Sequence, residues 1–312
     1  MDYIIGSDFD GMTVLEFMKR SEGISRALCK HLKFLPNGIM LNGQKVTVRA
    51  RLRLGDKLSL AIEDASPCEN LSPVDLPIGI VYEDEDMVIP NKPPNMPTHP
   101  SRNHYDDTVA NALAFRYREA GVPFVFRPVN RLDRNTSGLV LIARNRLSAG
   151  FLSDALRKGE IQKAYVAILC GVPERPEGEI ETYMRRTADS IIVRENCGAD
   201  EGGDYALTRY RVICSSDRHS LVLAMPLTGR THQLRVHFAG IGCAILGDDL
   251  YGSSSDLIDR HALHAYSLTL PRPSLEEKMT VYAPLQSDMR SAIAALFGSV
   301  DCPELEEILN KG

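Results

Sequence analysis

Apolar and polar positions divide this chain of 312 residues into two textures. In residues 1–64 the stretches Val14 to Lys19 and Ser25 to Phe34 carry apolar side chains at helical spacing, with Ser25 as a candidate helix cap. Ile39-Met40-Leu41 runs into the tight-turn dipeptide Asn42-Gly43, and Leu58 to Ile62 forms a second strand after Gly55-Asp56. Residues 65–78, ASPCENLSPVDLPI, hold three prolines and no long apolar run, and read as a linker. From Gly79 the pattern predicts strands at Ile80–Tyr82, Met87–Ile89, Leu139–Ala143, Ala164–Leu169, Tyr205–Cys214, Ser220–Ala224 and Met279–Ala283. Helices are predicted over Thr108–Glu119, Ser148–Lys158, Thr231–Ala239 and Arg290–Phe297. Neighbouring strands often follow one another without a helical crossover. The expected class is therefore α+β: a mainly antiparallel mixed sheet over residues 79–290, with a small αβ unit before it and a helix plus acidic tail over 291–312.

With 44% hydrophobic residues the chain can bury a real core. No charged, apolar leader opens it and no apolar run approaches a membrane span, so a soluble, cytoplasmic protein is expected, a monomer by default. The seven cysteines are scattered without a C-x-x-C pair and read as reduced thiols. A net charge of −5 argues mildly against a nucleic-acid partner. Its distribution points the other way. Residues 19–57 carry ten basic groups against Glu22 and Asp56, and residues 127–163 carry eight against three acids. Between them residues 64–86 hold seven acids and no base. Two basic islands could form a polyanion site, or two solvated surfaces.

The densest chemistry lies in RPVNRLDRNTSGLVLIA, residues 127–143. Asp133 stands between Arg131 and Arg134, just before the Thr136-Ser137-Gly138 turn and an apolar strand. That puts a carboxylate on a loop at the mouth of a sheet, where scaffolds present their reactive groups. Two arginines beside one acid suit an anionic partner and an ionised carboxylate, although a loop-closing salt bridge has the same composition.

The string resembles the signature of the RluA-type pseudouridine synthases, which isomerise uridine in structured RNA. Four further segments fit that family in order: Asn91-Lys92-Pro93 with Met96-Pro97-Thr98-His99-Pro100; Lys163-Ala164-Tyr165; Thr228-Gly229-Arg230-Thr231-His232-Gln233-Leu234-Arg235; and Gly247-Asp248 with Tyr251-Gly252, then His261-Ala262-Leu263-His264-Ala265. The match covers about residues 80–285. Separately, SRALCKHL, GIMLNGQKV and RLRLGDKLSL resemble a small RNA-binding domain named for a ribosomal small-subunit protein, over residues 11–64. On the helix expected over Ser25 to Phe34, Arg26, Lys30 and Lys33 would offer a cationic face to phosphates.

What the resemblance implies is a pseudouridine synthase fold and an isomerase acting on RNA, with ribosomal large-subunit RNA favoured over transfer RNA. The C1′–N1 bond breaks, the uracil turns, and C5 rejoins the ribose. By resemblance Asp133 attacks the ribose or takes its proton, Arg235 pairs with that acid, and Tyr165 packs on the uracil and helps remove the C5 proton. The target base must be flipped out, and Arg131 matches the arginine that fills the gap. Arg134 adds charge beside it, Leu263 matches a pocket-lining leucine, and Arg230 and His232, at the start of a helix capped by Thr231, suit backbone phosphates. The reaction needs no redox partner and no activated water, so no cofactor is expected.

Other readings remain open on sequence alone. Tyr165 could be a core tyrosine with a bonded hydroxyl, and Arg235 a surface charge on a helix. His232, His237, His261 and His264 could converge on a metal, but no H-E-x-x-H and no acid at ligand spacing accompanies them, so no metal is expected and His261 and His264 read as structural hydrogen-bonders. A non-catalytic RNA-binding or ribosome-assembly protein could keep the same fold. A hydrolase would need a nucleophile elbow, which is missing. The chain departs from the family's familiar signature at Asn130, where a histidine is usual; asparagine can still hydrogen-bond the loop backbone.

Overall fold

The computed structural model describes residues 1–20, 24, 26–62, 71–190, 192–273, 275, 277–298 and 302–311. The expected cap Ser25, the side chain of Arg26 and the first part of the linker lie outside the described residues.

The amino-terminal unit is built from β1 (Asp2–Ile4), α1 (Val14–Arg20), α2 (Arg26–Phe34), β2 (Ile39–Leu41), β3 (Gln44–Lys45) and β4 (Lys57–Leu60). Its own antiparallel sheet runs β1-β4-β2-β3. Phe17, Met18, Leu32, Leu52 and Leu58 fill a core separate from the rest of the chain, closed on one side by Leu147. The β1 strand was not legible because only one of its three residues is even half-buried.

Twelve strands, among the described residues, form the large sheet. In chain order the elements are β5 (Gly79–Glu83), β6 (Met87–Lys92), α3 (Val109–Glu119), β7 (Arg127–Pro128), β8 (Ser137–Leu139), β9 (Ile142–Ala143), α4 (Arg146–Arg157), β10 (Gln162–Cys170), β11 (Glu177–Arg186), β12 (Arg194–Cys197), β13 (Asp204–Ser215), β14 (His219–Pro226), α5 (Gln233–Gly240), β15 (Leu263–Pro271), β16 (Lys278–Tyr282), α6 (Ser287–Phe297) and α7 (Pro303–Asn310). The sheet order is β12-β11-β13-β14-β10-β15-β8-β6-β9-β7, with β16 on β15 and β5 on β6. Every pairing is antiparallel except β15 with β8. The α+β class with a mainly antiparallel sheet holds. The central strand β10 has a run of five buried residues from Tyr165 to Leu169, as a strand covered on both faces should.

Two details place the site. First, the apolar run 139–143 is not one strand. The chain leaves β8 at Leu139 and re-pairs as β9, both against β6. Between them lies Pro90 of β6, which has no N–H to donate; it only accepts from Val140. Second, Gly138 pairs with Ala265 across the parallel contact at φ +110, where an added Cβ would lie 2.2 Å from the Ala265 carbonyl oxygen. Only glycine allows that approach, and it fixes the Asp133 loop against β15.

Further differences from the expected elements have local causes. The helix expected to begin at Thr231 starts at Gln233, and His232 occupies the cap position in left-handed conformation. Thr231 does not cap it. Instead the Gln233 side chain reaches back, accepting from the Arg230 N–H at 3.0 Å and from the Thr228 hydroxyl at 2.7 Å. The carboxy-terminal segment holds two helices rather than one, and α6 begins three residues before the expected Arg290. The later linker residues are pinned to α3: Asn111 Nδ2 donates to the Ser72 carbonyl and the Val74 N–H to the Asn111 carbonyl. No described helix is long and apolar enough to cross a membrane.

Candidate active site

Asp133 sits on a loop held at almost every neighbouring residue. Leu132 exchanges two hydrogen bonds with Thr98, its N–H donating to Oγ1 at 3.2 Å and its carbonyl accepting from the hydroxyl at 3.1 Å. The Asp133 carbonyl accepts from the Thr136 N–H at 3.1 Å. Asn130 Oδ1 accepts from the Leu141 N–H at 2.7 Å, the loop-bracing role open to asparagine at that position. Lys92, fully buried, donates to the carbonyls of Pro93, Met96 and Arg134 at 2.8 to 2.9 Å. Burial first, and then the Arg260 charge, pull its pKa down to about 7. Three carbonyl acceptors need all three ammonium protons, so the clamp belongs to the charged form.

The Asp133 carboxylate itself, one-third exposed, has no hydrogen-bond donor among the described residues. Within 4 Å of it stand His232 Nε2 at 3.8 Å and the guanidinium Nη1 of Arg235 at 3.9 Å. The expected pairing of Arg235 with Asp133 is present as a long 3.9 Å ion pair without a hydrogen bond. Arg235 is buried, and its guanidinium makes two 2.7 Å hydrogen bonds to Asp248. Burial opposes both charges, but each outweighs it for the other: the pKa of Asp248 is held below the ordinary carboxylate value and that of Arg235 above its own. Tyr251 covers the guanidinium face, its ring centre 5.1 Å from the Arg235 carbon, and its hydroxyl meets His232 Nδ1 at 2.9 Å.

These groups line one cleft of about 640 Å³. Asp133, Tyr165, Arg235, His232, Leu263, Arg230, Arg131 and Arg134 all contribute to its wall, so the sequence candidates of the large domain converge there. Lys30 and Lys33 are exposed on α2 of the amino-terminal unit and do not line it. Arg131 and Arg134 are exposed and have no ion pair among the described residues. Arg230 is held, donating to the Tyr205 carbonyl at 2.9 Å, with Asp204 at 4.0 Å. Tyr165 is buried, yet its hydroxyl finds no hydrogen-bond partner among the described residues. The reading as a core tyrosine with a bonded hydroxyl fails. Burial, reinforced by the Asp133 charge, pushes its pKa up, so the group is a neutral phenol.

Sequence reasoning gave no role to Lys92, Asp248 or Arg260, which shape the site from behind and do not line the cleft. Asp248 and Lys92 stood within quoted motifs, but nothing in their spacing named their partners. Arg260 ties the site to α6, pairing with Asp288 and donating to the carbonyls of Asn135 and Leu263. His261 and His264 are buried hydrogen-bonders, to Thr136 at 2.8 Å and Ser137 at 2.9 Å.

Comparison with known proteins supplies the family. Residues 86–240 match the family described as RNA pseudouridylate synthase. An uncharacterized RNA pseudouridine synthase of Bacillus subtilis is 36% identical over 282 residues, covering 90% of this chain and 98% of that protein. The chain belongs to the RNA pseudouridine synthases. Ribosomal large subunit pseudouridine synthase D of Zymomonas mobilis is 33% identical to this synthase over 285 residues, with 86% of this chain and 88% of that protein covered. A solved structure, human RNA pseudouridylate synthase domain containing 1, superposes with a TM-score of 0.58 at 29% identity, over 69% of this synthase and 87% of that chain. The enzyme is an isomerase acting on RNA, and among its described residues no cluster of three or more His, Cys, Asp or Glu side chains is placed to hold a metal.

Proposed function

We propose that this pseudouridine synthase isomerises uridines in ribosomal large-subunit RNA, with Asp133 as the group that acts on the ribose. The carrying observation is a carboxylate fixed on a braced loop, facing the cleft, and free of any hydrogen-bond donor among the described residues. An acid meant only to close a loop would have spent its oxygens on neighbours. The relatives named for the large ribosomal subunit support the choice of RNA.

The roles are those the family resemblance implies, and the cleft has room for them. The flipped uridine enters between Asp133 and Tyr165, with Leu263 against the base. Asp133 attacks C1′ or takes a ribose proton as the C1′–N1 bond breaks and its electrons pass to N1. The freed uracil turns on the Tyr165 ring, C5 bonds to C1′ as the Asp133–C1′ bond breaks or as Asp133 returns the ribose proton, and the C5 proton passes to the N1 anion through the Tyr165 hydroxyl, which gives up its own proton as it takes the other. Arg235 does not neutralise Asp133 directly, because Asp248 already occupies the guanidinium. It supplies a nearby positive field at the carboxylate without blocking its oxygens. Arg131, exposed beside the acid and without an ion pair among the described residues, fills the stack vacated by the base.

Asp133→Asn tests the assignment. The substitution keeps size and polarity, and it removes no hydrogen bond seen in the protein. Single-turnover tritium release from RNA labelled at uracil C5 should fall by several orders of magnitude, roughly 10⁴-fold or more. Affinity for the same RNA should stay the same or rise slightly, because a negative charge is lost from a phosphate-binding cleft. Near-normal turnover by a folded Asp133→Asn protein would refute the role.

A further inference from the structure

Lys163 is the cleft's unexplained cation. It projects from β10 two residues before Tyr165, so the two side chains share a face, and both line the cleft. The Lys163 side chain is half-buried, and among the described residues its ammonium has neither a hydrogen-bond acceptor nor an ion-pair partner. Burial lowers its pKa. Every other buried cation of the site is matched: Lys92 by three carbonyls, Arg235 by Asp248, Arg260 by Asp288. A half-buried ammonium that opens on the cleft with no acceptor among the described residues is placed to meet a ligand oxygen.

Position decides which oxygen. Two residues along an antiparallel strand span about 6.8 Å. With the uracil ring on Tyr165, that step moves past the base to the sugar–phosphate backbone. On the far side Lys163 lies over Gly229, where an added Cβ would come 3.7 Å from Nζ and would meet nothing else within 4 Å. The space beside the ammonium is thus bounded by bare backbone, followed by Arg230 on the same wall. A phosphodiester is the one full anion an RNA brings to such a place.

We propose that Lys163 is a phosphate-binding residue of the cleft, gripping the backbone phosphate next to the flipped uridine against Gly229 and Arg230. It thereby contributes to affinity for the flipped nucleotide rather than to the chemical step. The assignment rests on the reading that the flipped uridine lies between Asp133 and Tyr165, and it adds a contact outside the reacting atoms.

The test uses the full-length protein and total RNA from cells lacking it, labelled with 5-tritiated uridine, so that every natural target is present. Single-turnover tritium release is followed against protein concentration at several salt concentrations. For Lys163→Met the half-saturating concentration should rise about tenfold, the usual weight of a charge-assisted contact. The slope of log affinity against log salt should flatten by roughly 0.7, the share of one phosphate on single-stranded RNA. The rate at saturation should stay within about threefold, and Lys163→Arg should recover most of the affinity. An unchanged salt slope overturns the proposal. So does a collapse of the saturated rate with affinity intact, which would place Lys163 on the base. Should Lys163→Met fold poorly, Lys163→Gln and Lys163→Arg give the same comparison of slope. Asp133→Asn is run alongside: normal turnover there removes the Asp133 assignment and leaves the Lys163 slope readable in the wild-type background.

Discussion

Arg235 holds Asp248 through two 2.7 Å hydrogen bonds, while its Nη1 stands 3.9 Å from Asp133. One guanidinium therefore serves two carboxylates unequally. The fully buried one takes the fork, and the one facing the cleft receives only the field. For a group that must react this division is useful, since a bidentate ion pair would hold Asp133 back from the ribose.

The division predicts the phenotype of Asp248→Asn. The variant leaves a buried arginine without its anion, which costs about 3 kcal/mol and lowers the urea midpoint accordingly. Arg235 is then free to turn toward Asp133, so the single-turnover rate should fall by more than the loss of folded protein explains. Asp249, 3.6 Å from the same guanidinium but 76% exposed, provides the control. Asp249→Asn should leave midpoint and rate nearly unchanged. If both variants behave alike, the fork to Asp248 is not what positions Arg235.

Tyr165→Phe separates ring from hydroxyl. The ring is part of the core cluster beneath the cleft, and phenylalanine keeps it. The hydroxyl has no protein partner to lose among the described residues, so stability should hold. RNA affinity is expected within about threefold of wild type, and tritium release is expected to slow by about 10² or more, the usual weight of a proton-transfer group. Wild-type release by Tyr165→Phe would show that the C5 proton leaves by another route.

How much of this could be read in the chain varies with distance along it. β10, β13 and β14 announced themselves because their apolar residues repeat cleanly. β11 did not: of its ten residues only Ile180 and Met184 are buried, so a strand near the sheet edge looks like polar loop. β15 was missed for the opposite reason. It lies inside a histidine-containing motif that drew a chemical reading, although five of its first six residues are buried as in a central strand. Within the site, residues close in sequence were legible as a group. Partnerships between distant residues were not. Arg235 had Asp133, Asp248 and Asp249 to choose from, and only the fold places Asp248 behind it. Lys92 looked like part of a proline loop, and its three carbonyl partners depend on how that loop and the Asp133 loop meet.

Acid should destabilise the enzyme earlier than its carboxylates alone would. His261 and His264 have pKa values lowered to about 3 and His237 to about 4, in each case chiefly by burial and for His261 next by the Arg235 charge. All lie below the ordinary 6.5. Below that value the unfolded chain binds protons that the folded protein refuses, so stability is full above 6.5 and declines as the pH falls. His237 Nδ1 is buried without a hydrogen-bond partner among the described residues, so a proton there would have no acceptor. Asp248 and Asp288, with values below 3.8, lose their contribution only in stronger acid. The interval from pH 6.5 to 5 thus belongs to histidine. At pH 5.5 each of the three should cost about 1 kcal/mol. Urea midpoints at pH 7.5 and 5.5, at fixed ionic strength, measure it, and a level midpoint would refute the account.

Lys30 and Lys33 raise a separate question, because they stand on α2, outside the cleft, in a unit with its own sheet and core. Their helix lies against α4, and Leu147 of α4 packs on the small core, so the charges are carried beside the catalytic domain rather than on a free tether. Both lysines are exposed, so neutralising them should leave the fold unchanged. If the amino-terminal unit grips RNA, the double variant Lys30→Gln, Lys33→Gln should bind more weakly and lose salt dependence. The slope of log affinity against log salt should flatten by up to about 1.8, since each phosphate contact on duplex contributes close to 0.9. The saturated single-turnover rate should not change, because neither side chain reaches the cleft. That pattern differs from both Asp133→Asn, which removes rate and keeps affinity, and Asp248→Asn, which removes rate and stability together. An unaltered slope would mean that α2 faces away from the RNA and that the cleft's own cations carry the binding.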